Sequence, residues 1–393
     1  MSRPRVVMAT RIFDPEPSAA SLRLRALARG LRGRADLTVV TTRPPEPLQG
    51  EDEPTVEITR WPVLRDPSGY VRGYLQYMSF DLPLFFRLVF GRQADVFVCE
   101  PPPTTGAIVR LAAIVRRRPY VYYAADIWSD ASRATSAPRL VVRTLEAIER
   151  FALRGAEAVL VVTEGVAGRV REMAPGRPVT VVGHGVDLTT FVATGPAITS
   201  PADIVYVGSA SEWHGASVAL DAVVEVLLRD SALTAAFIGQ GSEWQDLIVR
   251  ATRSRVRERI RFLDTVPADR AAAWLRSARV ALATLAPGQG YDFAVPTKLY
   301  AAIAVGTPVA YAGPDPVRAM INDERLGIGV SHDAESLADA ITELLAQGPG
   351  TDADRLVKWA AENISAEGVA ARSVDVILEA AAPESQGAPH VRH

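Results

Sequence analysis

The chain has 393 residues, 48% hydrophobic and 22% charged, which excludes a disordered or fibrous protein and leaves room for two domains of ordinary size. Its net charge of −2 excludes the global positive field of a nucleic-acid binder. The charge is uneven, with 26 arginines, no lysine and 19 acidic residues up to Val186 and an acidic remainder, which fits either an anionic surface or acceptor for the first half or plain drift in surface composition.

The first apolar run, Arg5–Ala9, reads as a strand. The loop after it carries Ser18 and Ser21, either of which can cap a helix over Ala20–Gly33, and Arg23, which points to a cleft or to solvent. A strand follows at Leu37–Thr42. The stretch Tyr70–Arg92 interleaves aromatic residues with arginines. It reads as a buried helical hairpin, broken at Asp81 and Pro83, or as an amphipathic helix on a membrane surface. Val96–Val98 is a further strand, and Cys99 at its end reads as a structural thiol. As the single cysteine, it excludes a disulfide framework within the chain.

Helix Gly106–Arg116 leads to strand Tyr120–Tyr123, and Ala125-Asp126-Ile127-Trp128 lies at that strand's carboxyl end. Asp126 can orient or deprotonate an acceptor hydroxyl, or cap a helix, and Trp128 can stack on a sugar or merely pack. Helix Pro138–Gly155 and strands Ala158–Val162 and Val179–Val182 complete the first half. The turn Gly183-His184-Gly185-Val186-Asp187 then marks a junction.

The alternation restarts with strands Asp203–Val207, Leu233–Ile238, Ile260–Leu263, Val280–Thr284 and Val309–Ala312. Helices Ala216–Leu228, Glu243–Ser254, Ala268–Ser277 and Thr297–Val305 lie between or after them. Strand–helix alternation predicts parallel sheets covered on both faces, here two α/β doubly wound, Rossmann-like domains facing a cleft. After strand Asp203–Val207, Gly208 lets backbone approach a ligand, and His214 either contacts a phosphate or sugar or is merely exposed. The run Gly290–Pro308 offers a Thr297 cap, a Gly306 stop with Pro308 preventing continuation, and Lys298. Free amides and an ammonium there suit a diphosphate, the alternative being an ordinary capped helix with a solvated lysine. Only Lys298 and Lys358 occur among the basic residues as lysine.

The motifs taken together resemble the GT-B glycosyltransferases of the large retaining family four, also called group 1. Pro296-Thr297-Lys298-Leu299-Tyr300 resembles the family's donor-site helix start, and Asp126-Ile127-Trp128 its acceptor-side loop. Gly183–Asp187 resembles its Asn-Gly-Val-Asp junction, Phe237–Gly241 its strand and glycine loop, and Phe262–Pro267 its base-holding loop. The resemblance implies an N-terminal acceptor domain (1–186) and a C-terminal nucleotide-sugar domain (187–365). A helix over 366–381 would cross back, and a disordered tail would follow over 382–393.

It implies catalytic roles for Asp126, Lys298 and His214. Donor contacts would come from Gly208, Ser209, Gly239, Val266, Tyr291, Asp292, Phe293, Pro296, Thr297 and Lys298, and acceptor contacts from Ser18, Arg23, Trp128 and His184. No metal and no cofactor is implied beyond a UDP-, dTDP- or GDP-sugar. The acceptor would be a small molecule, a natural-product core or a lipid-linked glycan, with retention of configuration.

Two family glutamates are replaced by Phe293 and Ala301, and the arginine and lysine of the Gly208 loop by Ser209 and His214. Lys298 is then the main cation at the diphosphate. The missing glutamates keep open a GT-B chain without catalysis that serves as a binding subunit, and an epimerase of nucleotide-sugars shares the fold. With neither an apolar signal core nor the roughly 18 to 20 apolar residues that span a bilayer, the expectation is a cytoplasmic protein, at most peripheral to a membrane.

Overall fold

The computed structural model describes all residues except 1–2, 17, 46–55, 67–68, 70, 72, 134–137, 290–291, 349, 351 and 383–393. Tyr291 and the tail beyond Ala382 therefore lie outside the described residues. The first half forms strands β1 (Arg5–Ala9), β2 (Asp36–Thr42), β3 (Glu57–Trp61), β4 (Val96–Cys99), β5 (Tyr120–Ala124), β6 (Ala158–Val161) and β7 (Val179–Val181). They pair in parallel, in the order β3-β2-β1-β4-β5-β6-β7. The helices of this half are α1 (Ala19–Leu31), α2 (Tyr74–Phe90), α3 (Pro103–Arg116), α4 (Trp128–Arg133), α5 (Arg139–Gly155) and α6 (Glu164–Met173).

The second half repeats the plan with β8 (Ile204–Val207), β9 (Ala235–Ile238), β10 (Ile260–Leu263), β11 (Val280–Thr284), β12 (Val309–Ala312) and β13 (Gly327–Val330). Their order is β10-β9-β8-β11-β12-β13, again parallel. Its helices are α7 (Ala216–Arg229), α8 (Trp244–Thr252), α9 (Ala268–Ser277), α10 (Thr297–Ala304), α11 (Val317–Asp323), α12 (Ala334–Ala346) and α13 (Ala353–Asn363). The last helix, α14 (Ala366–Ala381), closes the described chain. Fully buried aliphatic strands such as Val96-Phe97-Val98-Cys99 are what a sheet covered on both faces demands.

Two strands escape the apolar pattern. β3 is an edge strand with the mixed sequence Glu-Ile-Thr-Arg-Trp and only partial burial. β13, Gly-Ile-Gly-Val, is short and half glycine. The expected hairpin at Tyr70–Arg92 is instead one helix, α2, with Pro83 inside it. Phe80, Asp81, Leu84 and Leu88 face inward, while Leu75, Leu82, Phe86 and Phe90 stay exposed, so the two sides of α2 have opposite character.

The sheets are joined where the chain crosses twice. The Val186 amide donates to the Ile364 carbonyl at 2.7 Å, and the Ala366 amide donates to the Val186 carbonyl at 2.9 Å. Beyond that point α14 lies on α1, and its Val369, Val374 and Ile377 enter the core of the first sheet. Gly30 admits this approach, because a Cβ there would stand 3.2 Å from Val374 Cγ2. The C-terminal helix thus belongs by packing to the half of the molecule where the chain began. In each sheet the strand order reverses at one point, between β1 and β4 and between β8 and β11. Ligand crevices form at the carboxyl ends of strands beside such points.

Candidate active site

In the second half, β8 runs into Gly208 (φ 130°) and β9 into Gly239 (φ 151°). A Cβ on Gly239 would fall 2.1 Å from the Gly208 carbonyl oxygen, so the two loops lie directly against each other. A Cβ on Gly208 would reach 3.3 Å from Lys298 Cε. The bare backbone therefore leaves room for Lys298, at the second position of α10. Its ammonium donates to the Ser209 carbonyl at 2.9 Å and to the Tyr206 hydroxyl. It also sits 3.8 Å over the centre of the Tyr206 ring. No carboxylate pairs with it among the described residues, and burial pulls it well below the usual lysine range.

Thr297 does not cap α10. The cap residue is Pro296, which offers no side-chain acceptor, and Thr297 is the exposed first residue. Among the described residues the amides of Thr297 and Lys298 make no backbone hydrogen bond, so the positive end of the helix presents these two donors beside the ammonium. Gly306 (φ 85°) ends the helix as the sequence suggests.

His214 closes a 3-10 turn over Glu212–His214. Its Nδ1 accepts from the Ser211 amide at 3.2 Å, which assigns the proton of the neutral ring to Nε2. Burial, then Lys298, lowers it to about 3. At neutral pH it is a donor through Nε2 rather than a cation. Ser209 gives its carbonyl, not its side chain, to Lys298. Val266, between β10 and α9, packs on the second core.

Two donor candidates serve other ends. Asp292 Oδ1 accepts from the Gly288 amide at 2.8 Å and braces its own loop. Phe293 reaches across to the first half, where its carbonyl accepts from Thr163 Oγ1 at 3.4 Å and its side chain fills the space over Gly165. It forms an interdomain contact.

In the first half, Thr10 and Glu100 follow the adjacent strands β1 and β4. Thr10 Oγ1 donates to Glu100 at 2.8 Å, and Arg23 of α1 pairs with the same carboxylate at 2.9 Å. Arg23 is thus committed to a buried ion pair rather than free for an acceptor. The Ser18 hydroxyl is likewise committed, accepting from the Ser21 amide at 3.0 Å as the cap of α1. Asp126 is not a cap. The first amides of α4 are taken by Glu149 of α5, from Trp128 at 2.8 Å and from Ser129 at 3.0 Å.

Asp126 makes no hydrogen bond among the described residues. Its side chain is open to solvent, yet the protein is dense around it. That confinement raises its carboxyl, and Arg23 opposes the shift. Trp128 meets Tyr77 edge-on at 6.1 Å.

His184 stands where the halves meet. Its ring centre lies 6.1 Å from that of Tyr300 on α10, and Arg23 acts on it from the other side. Burial lowers it to about 4, and its Nε2 has no partner among the described residues. Arg23 thus acts on both Asp126 and His184, His184 lies against Tyr300 of α10, and Lys298 of the same helix acts on His214. A separate cavity lined by Arg3, Arg5, Arg32 and Arg92 lies at the opposite, amino ends of β1 and β2, where Arg5 and Arg92 are matched by Asp95 and Glu57.

Sequence reasoning missed Arg11, Asp81, Glu100 and Tyr206. The available signal was position, since Arg11 and Glu100 are polar residues just past buried strands. Asp81, read only as a helix breaker, gave none.

Residues 18–185 match the model of the glycosyl transferase 4-like domain, and residues 201–347 match that of glycosyl transferases group 1. The chain belongs to the group 1 glycosyltransferases. This glycosyltransferase has the GT-B fold, and solved structures share it over nearly the whole chain. Sucrose-phosphate synthase from Thermosynechococcus elongatus superposes with a TM-score of 0.75 at 14% identity, covering 96% of this chain and 99% of that one. HepE from Anabaena, in complex with UDP and glucose, gives 0.70 at 15%, covering 96% and 100%. WaaG, a glycosyltransferase involved in lipopolysaccharide biosynthesis, gives 0.68 at 15%, covering 95% and 99%. No curated protein matches this glycosyltransferase by sequence.

Two of the lowered histidines, His184 and His214, make a prediction. Each titrates near 6.5 in the unfolded chain and lower in the native one, so its stabilisation is full above pH 6.5 and drains as the pH falls toward 4. Denaturant unfolding at about pH 5 should show a loss near 2 kcal/mol per histidine relative to neutral pH. His184→Gln should flatten that dependence, and an unchanged pH slope in the variant would contradict the assignment.

Proposed function

We propose that the protein transfers a hexosyl group from a nucleoside-diphosphate sugar (UDP-, dTDP- or GDP-linked) to an acceptor hydroxyl with retention of configuration. The observation that carries this reading is the Lys298 ammonium. It is confined, it lacks a carboxylate partner, and it stands beside the two free amides that open α10. A diphosphate supplies the missing countercharge to both. The Nε2 proton of His214 is available to a phosphate or sugar oxygen on the same wall. Asp126, on the opposing wall and free of capping duty, is suited to hold the acceptor hydroxyl. In this reading the departing phosphate takes the acceptor proton, so no strong protein base is required. HepE was solved with UDP and glucose, which supports a nucleotide-sugar donor on the shared fold.

Phe293 and Ala301 offer no carboxylate for the ribose hydroxyls, so the base and diphosphate carry more of the donor affinity. Lys298 and the helix amides take the role of a metal ion, and turnover is expected to persist in EDTA. The outer face of α2, with Phe86 59% and Phe90 80% exposed, continues beside Ile114 and Val115 of α3 and is flanked by exposed Arg92, Arg117 and Arg118. Apolar side chains amid arginines suit the surface of an anionic bilayer. Among the described residues no helix is long and apolar enough to cross one.

Lys298→Ala should abolish turnover and weaken UDP binding by about 10–100-fold with melting unchanged. In the wild type, UDP binding should raise the burial-lowered Lys298 and so take up a proton over the range where the free lysine titrates, read as a buffer-dependent calorimetric enthalpy that the variant lacks. Equal UDP affinity in both would remove Lys298 from the donor site. In flotation with phosphatidylglycerol vesicles the wild type should bind, and Phe86→Ser with Phe90→Ser should bind several-fold less. Absence of the wild type from the vesicle fraction would remove the membrane contact.

A further inference from the structure

The carboxyl end of the first sheet holds polar groups whose hydrogen bonds are unmade. Arg11, just beyond β1, is 7% exposed and lies 3.8 Å over the ring of Tyr77 and 6.0 Å from that of Trp128. Its Nε and Nη1 have no partner among the described residues. A buried guanidinium left so is costly; Arg23, with its Nε also unpaired, at least has its charge matched by Glu100.

Asp81 of α2 is fully buried. Its Oδ1 accepts from Thr105 Oγ1 at 2.6 Å, while its Oδ2 accepts from nothing described. Asp81 is the leading attractive charge on Arg11, yet no hydrogen bond joins them. The Thr104 hydroxyl stands beside Asp81, also without completing a hydrogen bond. The cluster therefore presents unspent donors and unspent acceptors close together, with two aromatic rings alongside.

We propose that this cluster is the acceptor subsite and that it takes a sugar ring by two neighbouring hydroxyls. The proposal rests on the transferase reading and names its acceptor class. Each hydroxyl both accepts and donates. One pair can therefore receive the Nε and Nη1 protons of Arg11 and give its own protons to Asp81 Oδ2 and Thr104. An anion satisfies Arg11 but is repelled by Asp81, by Glu100 and by Asp126 on the adjoining loop. An apolar group leaves donors and acceptors alike unpaired, at the cost of their desolvation. The Tyr77 and Trp128 rings supply the apolar surface that the C–H side of a sugar requires. The same placement puts the bound ring next to Asp126, where its hydroxyl meets the donor.

Saturation-transfer NMR on the full-length protein, with a panel of methyl hexopyranosides as probes, tests this. At least one glycoside should bind, and its monodeoxy analogue lacking one hydroxyl of the recognised pair should bind at least tenfold more weakly, without any change to the protein. Arg11→Lys and Asp81→Asn should each weaken it about tenfold or more, with UDP affinity held as the check that the fold survives. UDP binding with no glycoside binding would overturn the subsite and leave the donor reading standing. Glycoside binding without UDP binding would support the subsite and remove the donor reading. Inorganic phosphate binding in an Arg11-dependent way, with no glycoside bound, would overturn the proposal in favour of an anion site. Glycoside binding indifferent to Arg11→Lys and Asp81→Asn would also overturn it.

Discussion

The arrangement on which the rest depends is a cation held without a countercharge. Lys298 reaches back from the start of α10 to the Ser209 carbonyl and the Tyr206 ring. These contacts orient an ammonium but do not neutralise it. Several sequence choices exist to permit that position. Gly208 leaves space for the lysine stem, and Gly239 allows the two glycine loops to touch. Pro296 ends the preceding loop without offering a side-chain cap, and among the described residues the amides of Thr297 and Lys298 make no hydrogen bond. In the proposed reading, a pyrophosphate is what completes these groups together.

The opposing wall is built by a different device. There the charges are mostly matched, Arg23 with Glu100 and the α4 amides with Glu149. Matching fixes the loop carrying Asp126 while leaving Asp126 itself uncommitted. The walls are held in register by the paired crossings at Val186 and Ala366, by α14 packed on α1, and by Phe293 laid over Gly165. The second half thus carries an unmatched cation, and the first half carries unmatched groups of both signs.

Much of the fold was legible because buried parallel strands write themselves as short aliphatic runs, and eleven of the thirteen strands among the described residues could be read that way. β3 and β13 could not: β3 carries the mixed sequence Glu-Ile-Thr-Arg-Trp and β13 is half glycine, so neither shows an aliphatic run. The site was legible where it follows local chemistry: Lys298 at a helix start, Gly208 after a strand, Asp126 at a strand end. It was illegible where long-range packing decides. Whether Ser18 caps a helix or meets a ligand, whether Arg23 is free or paired, and whether Phe293 faces donor or domain all depend on residues distant in sequence, such as Glu100 for Arg23 and Gly165 for Phe293. Asp81 is the clearest case, because only the packing of α2 against α3 turns a helix breaker into a buried carboxylate beside Thr105.

The most direct measurement is a crystal structure of the protein soaked with UDP. The account predicts diphosphate oxygens about 2.7–3.2 Å from Lys298 Nζ and from the amides of Thr297 or Lys298, with the ammonium drawn off the Ser209 carbonyl. A diphosphate bound elsewhere, with Lys298 still resting on Ser209 and Tyr206, would contradict it.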